Sequence, residues 1–176
     1  MKKAVCSQSV LVKSGRVFEF FTDTVTLPNG ITLDMEIIRH PGAAAVVPLM
    51  ADGSVLLLKQ YRHAVDGFIW EIPAGTLEQG EDPYQCACRE LAEETGYRAR
   101  HMEKLTAITP LPAYSNERIH LFLATGLEKT AQNLDADELL SVHRVDWHRA
   151  IDMIASGDIQ DAKTIAALHL ATARRV

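Results

Sequence analysis

The chain has 176 residues, 47% of them hydrophobic and 23% charged, enough apolar material for one cored domain with an added segment. With a formal net charge of −5, nothing points to a nucleic-acid binder that works through the phosphate backbone, and acidic small molecules stay open as substrates. No run reaches the roughly 18 apolar residues of a membrane span, and the opening "MKKAVCSQSVLVKSG" lacks the apolar stretch of a signal peptide.

In chain order, "RVFEFFTDTVTL" and "ITLDMEIIRH" flank "PNG", so the spacing predicts a hairpin. These residues, 1–40, read as an N-terminal antiparallel strand unit ahead of a main domain at 41–176. "AAAVVPLM" and "SVLLLKQYR" flank "ADG" and predict a second hairpin. "FIWEIPAG" predicts a short strand ending in a turn. "EDPYQCACRELAEETG" carries helix punctuation: Asp82 as cap, Pro83 at the first helical position, Gly96 just past the end. On that helix Tyr84, Ala87, Cys88, Leu91 and Thr95 form the apolar stripe, hence the expected buried side. Cys86 and Cys88 point in different directions and read as small core or boundary residues. With three cysteines, an odd number, the usage fits a reducing cytoplasm. The seven histidines show no zinc-ligand spacing.

Farther on, "KLTAITPL" and "RIHLFLATGL" read as strands joined by "PLPAYSNE". "LLSVHRVDW" is a strand leading into a short helix, "HRAIDMIASG". "DAKTIAALHLATARR" is a terminal helix with Asp161 as cap, and Arg174 and Arg175 suit its C-terminal end. Strands with one central helix and late helices give an α/β (α+β) sandwich.

The acidic helix asks for a reason. At about 100° per residue, Glu90, Glu93 and Glu94 fall within an arc of roughly 100°, with Arg89 at its edge. Like charges this close destabilise a helix. Glu90 and Glu94 are one turn apart, so their carboxylates can converge. Such a group faces solvent, shares a proton, or binds a hard cation such as Mg²⁺ or Mn²⁺.

The wider spacing narrows the choice. Gly75, five residues, Glu81, seven residues, Arg89-Glu90-Leu91, one residue, Glu93-Glu94, one residue, Gly96 and Tyr97 follow one another. This run resembles the Nudix box at every specified position. The resemblance implies a Nudix-type α/β/α sandwich with a mixed sheet, and Mg²⁺-dependent hydrolysis (Mn²⁺ as the alternative) of a nucleoside diphosphate linked to another moiety. It implies metal ligands at Glu90, Glu93 and Glu94, with Glu93 also catalytic, and a further ligand in the backbone carbonyl of Ala74. Glu81 either reaches the metal through water or pairs with Arg89. Gly75, Arg89 and Gly96 take the structural places of the box.

Outside the box, Gln60-Tyr61-Arg62, Trp70-Glu71, Pro73-Ala74-Gly75, Pro112 at 16 residues after Gly96, "AYSNE" and "GDIQDAKTIAAL" are similar to the ADP-ribose pyrophosphatase subgroup. That resemblance implies Glu117 as general base. It also implies substrate contacts from Arg62 to phosphate or ribose, from Glu71 to the nucleotide, from Pro112 to the adenine pocket, and from Arg39 across a dimer. In the subgroup the N-terminal strands exchange between subunits, which implies a homodimer. Phe18, Phe20 or Phe21 would then stack on a base or pack in a core. Leu111-Pro112-Ala113 and Asn116-Glu117 depart from the subgroup's usual Ser-Pro-Gly and Asp-Glu. A pyrophosphatase for GDP-mannose or another nucleotide sugar shares most of these features. A non-catalytic ADP-ribose sensor is the alternative of another class, and the complete box argues against it.

Overall fold

The structure, a computed structural model, describes residues 2–174, so Arg175 lies outside the described residues. It divides into two units, one holding the residues up to Gly42 with Thr109–Arg118, the other Ala43–Ile108 with the chain from Ile119 onward.

In the first unit, β1 (Val5–Ser14), β2 (Glu19–Thr26) and β3 (Thr32–Arg39) form an antiparallel sheet in that order. The hairpin at "PNG" pairs Thr26 with Thr32, and Gly30 closes the turn at φ 87° with its N–H on the Leu27 carbonyl. Strand β1 has no clear signal in the sequence. Its ten residues are all exposed, and it is a strand because it pairs with β2, from Val5 opposite Thr26 to Ser14 opposite Glu19.

In the second unit the strands are β4 (Ala43–Pro48), β5 (Val55–Arg62), β6 (Gly67–Glu71), β7 (Ala74–Thr76), β8 (Tyr97–Ile108), β9 (Ile119–Lys129) and β10 (Leu140–Val145). The helices are α1 (Pro83–Thr95), α2 (Trp147–Ala155) and α3 (Ala162–Thr172). A mixed sheet runs β7-β4-β9-β8, with β4 and β9 parallel, and an antiparallel sheet runs β10-β5-β6. Strand β4 is buried at all six positions, as expected of a strand covered on both faces. Its alternate residues part cleanly. Ala44 and Val46, with Phe122 and Ala124 of β9, pack on Cys86, Ala87 and Leu91 of α1. Ala43, Ala45 and Val47, with Leu121 and Leu123, join the core that holds Trp147 and Met153 of α2 and Leu168 of α3. The result is an α/β/α sandwich. No helix among the described residues is long and apolar enough to cross a membrane.

The helix punctuation reads through. Asp82 accepts the Tyr84 N–H at 2.8 Å, Pro83 opens α1, and Gly96 closes it at φ 71°. Asp161 accepts the Thr164 N–H at 3.0 Å and caps α3. Two expectations need correction. The hairpin across "ADG" does not form: β4 and β5 belong to different sheets and share one isolated bridge, Leu49 to Val55. Both edges of β4 are taken by β7 and β9, and both edges of β5 by β10 and β6. The buried side of α1 is also not the expected stripe. Tyr84 is 49% exposed and Cys88 half-buried, while Cys86, Ala87, Glu90, Leu91, Glu94 and Thr95 are buried. Two charged residues go inside with partners there, Glu94 with the Ala74 N–H of β7 and Glu90 with Arg89.

Candidate active site

Helix α1 turns Glu90 and Glu94 toward β7. The Ala74 N–H donates to Glu94 Oε2 at 2.8 Å. A Cβ on Gly75 would stand 1.7 Å from Glu90 Oε1, so only glycine lets that carboxylate lie against the strand. Glu94 is 1% exposed and Glu90 8%. Burial pushes the Glu94 carboxyl well above its ordinary range, and the Glu90 charge adds to this. Burial likewise raises Glu90, against the pull of Arg89.

Arg89 braces the cluster. Its Nε and Nη2 donate to Glu81 Oε1 and Oε2 at 2.9 and 3.0 Å. Its Nη1 donates to Glu90 Oε1 at 2.6 Å and to Glu93 Oε2 at 3.1 Å. These hydrogen bonds hold the Glu81 carboxyl down at about 2. Glu81 Oε2 also accepts the Glu78 N–H at 3.0 Å, which ties the loop before α1 to the helix.

A second ionic group is built from β5, β6 and α3. Glu71, 3% exposed, receives Arg62 Nε at 3.2 Å on each oxygen and Arg62 Nη2 at 2.7 Å on Oε2. Lys163 Nζ stands 3.3 Å from Glu71 Oε1 and 3.1 Å from Asp161 Oδ2. Burial opposes the charge on Arg62, but Glu71, Glu94 and Asp161 outweigh it and hold the guanidinium above its ordinary value.

The NUDIX domain model matches residues 39–168. This chain belongs to the Nudix family of pyrophosphohydrolases. It is 38% identical over 170 residues to an ADP-ribose pyrophosphatase of Bacillus subtilis (strain 168), covering 96% of this chain and 91% of that protein. It is 43% identical over 158 residues to the methanol dehydrogenase activator of Bacillus methanolicus, covering 89% and 85%. A GDP-mannose pyrophosphatase of Cronobacter sakazakii (strain ATCC BAA-894) is 33% identical over 153 residues, covering 77% and 80%. The crystal structure of an ADP compounds hydrolase superposes with a TM-score of 0.86 at 22% identity, over 99% of this chain and 95% of that one, a likeness of fold.

Nudix hydrolases use divalent metal ions, and the donors present here fit one. Glu90 and Glu94 are two buried carboxylates, and the Glu90 charge raises Glu94, a repulsion a hard cation relieves. Among the described residues no three His, Cys, Asp or Glu side chains gather into a ready-made cage. Glu93 is turned to Arg89, and Ala74 offers its N–H to Glu94.

The remaining sequence candidates lie in the first unit. Arg39 Nη2 donates to both oxygens of Asp23 at 3.0 Å and to Ser9 Oγ at 2.9 Å, and its guanidinium lies 3.9 Å over the Phe21 ring. Glu117 Oε1 is 3.9 Å from His40 Nδ1, which accepts the Gly42 N–H at 3.0 Å. Pro112 is exposed in the same loop.

Two residues of the second unit escaped sequence reasoning. Glu138 is a negative charge that raises both Glu90 and Glu94. Its loop is tied to the end of α1, where Gln132 Nε2 donates to the Glu94 carbonyl at 2.6 Å and the Asn133 N–H to the Glu93 carbonyl at 3.0 Å. "LDADELL" reads only as an acidic loop, so spacing carried no signal for it. Lys163 lies within "GDIQDAKTIAAL", a segment that resembles the subgroup but suggests no role for any one residue.

Proposed function

We propose that this protein hydrolyses the pyrophosphate bond of a nucleoside diphosphate sugar, converting ADP-ribose and water to AMP and ribose 5-phosphate, with Mg²⁺ as cofactor and Mn²⁺ as the alternative. The observation that carries the reading is the buried Glu90–Glu94 pair against the Gly75 backbone. A divalent ion held there neutralises phosphate charge and activates water. Glu90 and Glu94 hold the ion, Glu93 and the Ala74 carbonyl complete the site, and Glu81 with Arg89 keeps the loop on the helix. Arg62, fixed by Glu71, binds a phosphate. For the proton of the attacking water there are two candidates: Glu117, from its likeness to the subgroup, and Glu138, from its charge on Glu90 and Glu94. Pro112 and Arg39 contribute to base and substrate binding.

The test is a panel of ADP-ribose, GDP-mannose and ADP-glucose, read as phosphate released after phosphatase coupling. ADP-ribose is expected to lead in kcat/KM. A tenfold preference for GDP-mannose would replace it, a reading supported by the likeness to GDP-mannose pyrophosphatases. ADP-ribose binding without any hydrolysis would make the chain a sensor. The 43% identity to the methanol dehydrogenase activator supports a second reading, an effect on a partner dehydrogenase. Adding the protein to an alcohol dehydrogenase assay, with and without Mg²⁺, tests it. We further propose a cytoplasmic homodimer with exchanged N-terminal strands. Its support is β1, where Val10, Leu11 and Val12 are 47–56% exposed on a sheet edge. Light scattering that returns a monomer mass would refute it.

A further inference from the structure

Lys163 is oddly placed for a surface lysine. It lies in the first turn of α3, where the helix dipole disfavours a cation. Its side chain is only 11% exposed. Both features need a local reason, and its two partners supply it: Glu71 at 3.3 Å and Asp161 at 3.1 Å.

Glu71 does not need Lys163 for neutralisation alone, because Arg62 already grips both of its oxygens. Asp161 is likewise served by the Thr164 N–H at 3.0 Å and the Thr164 hydroxyl at 2.6 Å. That same hydroxyl oxygen accepts the Ile72 N–H at 2.9 Å, which anchors the start of α3 beside Glu71. Lys163 therefore adds a positive charge to a carboxylate already paired. Counted with both of its partners the group is balanced, Arg62 and Lys163 against Glu71 and Asp161, so Lys163 takes up part of the Glu71 carboxylate without leaving a charge unmet. Arg62 uses Nε and Nη2 on Glu71, and its side chain is 41% exposed. The remaining edge of the guanidinium is the part an anion can reach.

We propose that Lys163 is a positioning residue for the phosphate of the substrate. It shares the Glu71 carboxylate with Arg62, so that Arg62 keeps its orientation for a phosphate oxygen. This rests on the reading of Arg62 as a phosphate contact.

The experiment is steady-state kinetics of the Mg²⁺-loaded enzyme with the best substrate of the panel, for Arg62→Gln, Lys163→Met and the double variant. Methionine keeps an apolar stem close to the lysine's and removes the ammonium group with its contacts to Glu71 and Asp161. Each single change is expected to raise KM about tenfold with kcat within about threefold. The double variant is expected to match Arg62→Gln, because Lys163 works through Arg62. A double variant whose KM is the product of the two single effects overturns the proposal. So does a Lys163→Met enzyme with normal KM when Arg62→Gln is impaired. An unimpaired Arg62→Gln removes the Arg62 reading itself, and the proposal with it. If Lys163→Met melts below the assay temperature, Lys163→Arg carries the test. It retains the charge and is expected within about threefold of the original KM, and a KM as high as that of Arg62→Gln overturns the proposal.

Discussion

Two ionic groups in the second unit are built on different balances. Around α1, Glu81, Glu90 and Glu93 share one arginine, and Glu94 has only a backbone amide. Between β5, β6 and α3, two cations, Arg62 and Lys163, face two carboxylates, Glu71 and Asp161. The first group is short of positive charge and the second is not. Removing a buried partner is costly when the charge left behind stays inside, so the second group depends on all four of its members. For α1 the missing charge is a cation, and the ligand proposed for the open edge of Arg62 is a phosphate. On the function proposed above, a metal–pyrophosphate complex would supply both.

The largest test of this contrast is Glu94→Gln. It is expected to cut kcat about 10²–10³-fold, since it removes charge at the transition state. The folded state raises the Glu94 carboxyl, so this residue favours folding only below its ordinary 4.5 and disfavours it as pH rises. Metal-free Glu94→Gln should therefore melt above the metal-free parent at pH 8 in calorimetry. A lower melting temperature would mean that the carboxylate is not the buried liability described here.

Next, Glu117→Gln and Glu138→Gln compare the two units directly. The variant that loses the general base should fall about 10²–10⁴-fold and lose the acidic limb of its pH profile. The other should stay within about threefold. Equal, small effects would remove both candidates.

Gly75→Ala places a methyl 1.7 Å from Glu90 Oε1. Titration calorimetry should show Mg²⁺ affinity falling about 10–100-fold while the fold survives. Unchanged affinity would show that Glu90 need not lie against β7.

The smallest effect belongs to the brace. Arg89 holds Glu81 at about 2, against an ordinary 4.5, so Glu81 stabilises the fold above that value and stops doing so as pH falls toward 2. Glu81→Gln should lower the melting temperature by a few degrees at pH 7, with the gap closing in acid. A gap independent of pH would place the loss in packing instead.

How much of this was legible depended on how local the cause was. The caps of α1 and α3 were, because an Asp side chain reaches an N–H two or three residues on. The hairpin at "PNG" was, because its turn chemistry lies in the turn. The second hairpin failed because "ADG" has similar chemistry, yet β4 paired with β7 and β9, and β5 with its neighbour β6 and with β10. Strand β1 was invisible because its exposed residues show no apolar alternation. Lys163 and Glu138 were invisible because their roles arise from partners that tertiary contacts bring to them.

The sequence by itself determined the family, the helix that bears the carboxylates, its two ends and the set of residues able to bind a cation. Those follow from spacing, which a chain carries whatever it packs against. Only the tertiary structure decided which side of α1 is buried, that Glu90 and Glu94 go inside while Glu93 meets Arg89, and that Glu71 joins Arg62 to Lys163. Burial and charge pairing are properties of neighbours, and those neighbours, from Gly75 to Lys163, are assembled only when the sheets and helices close.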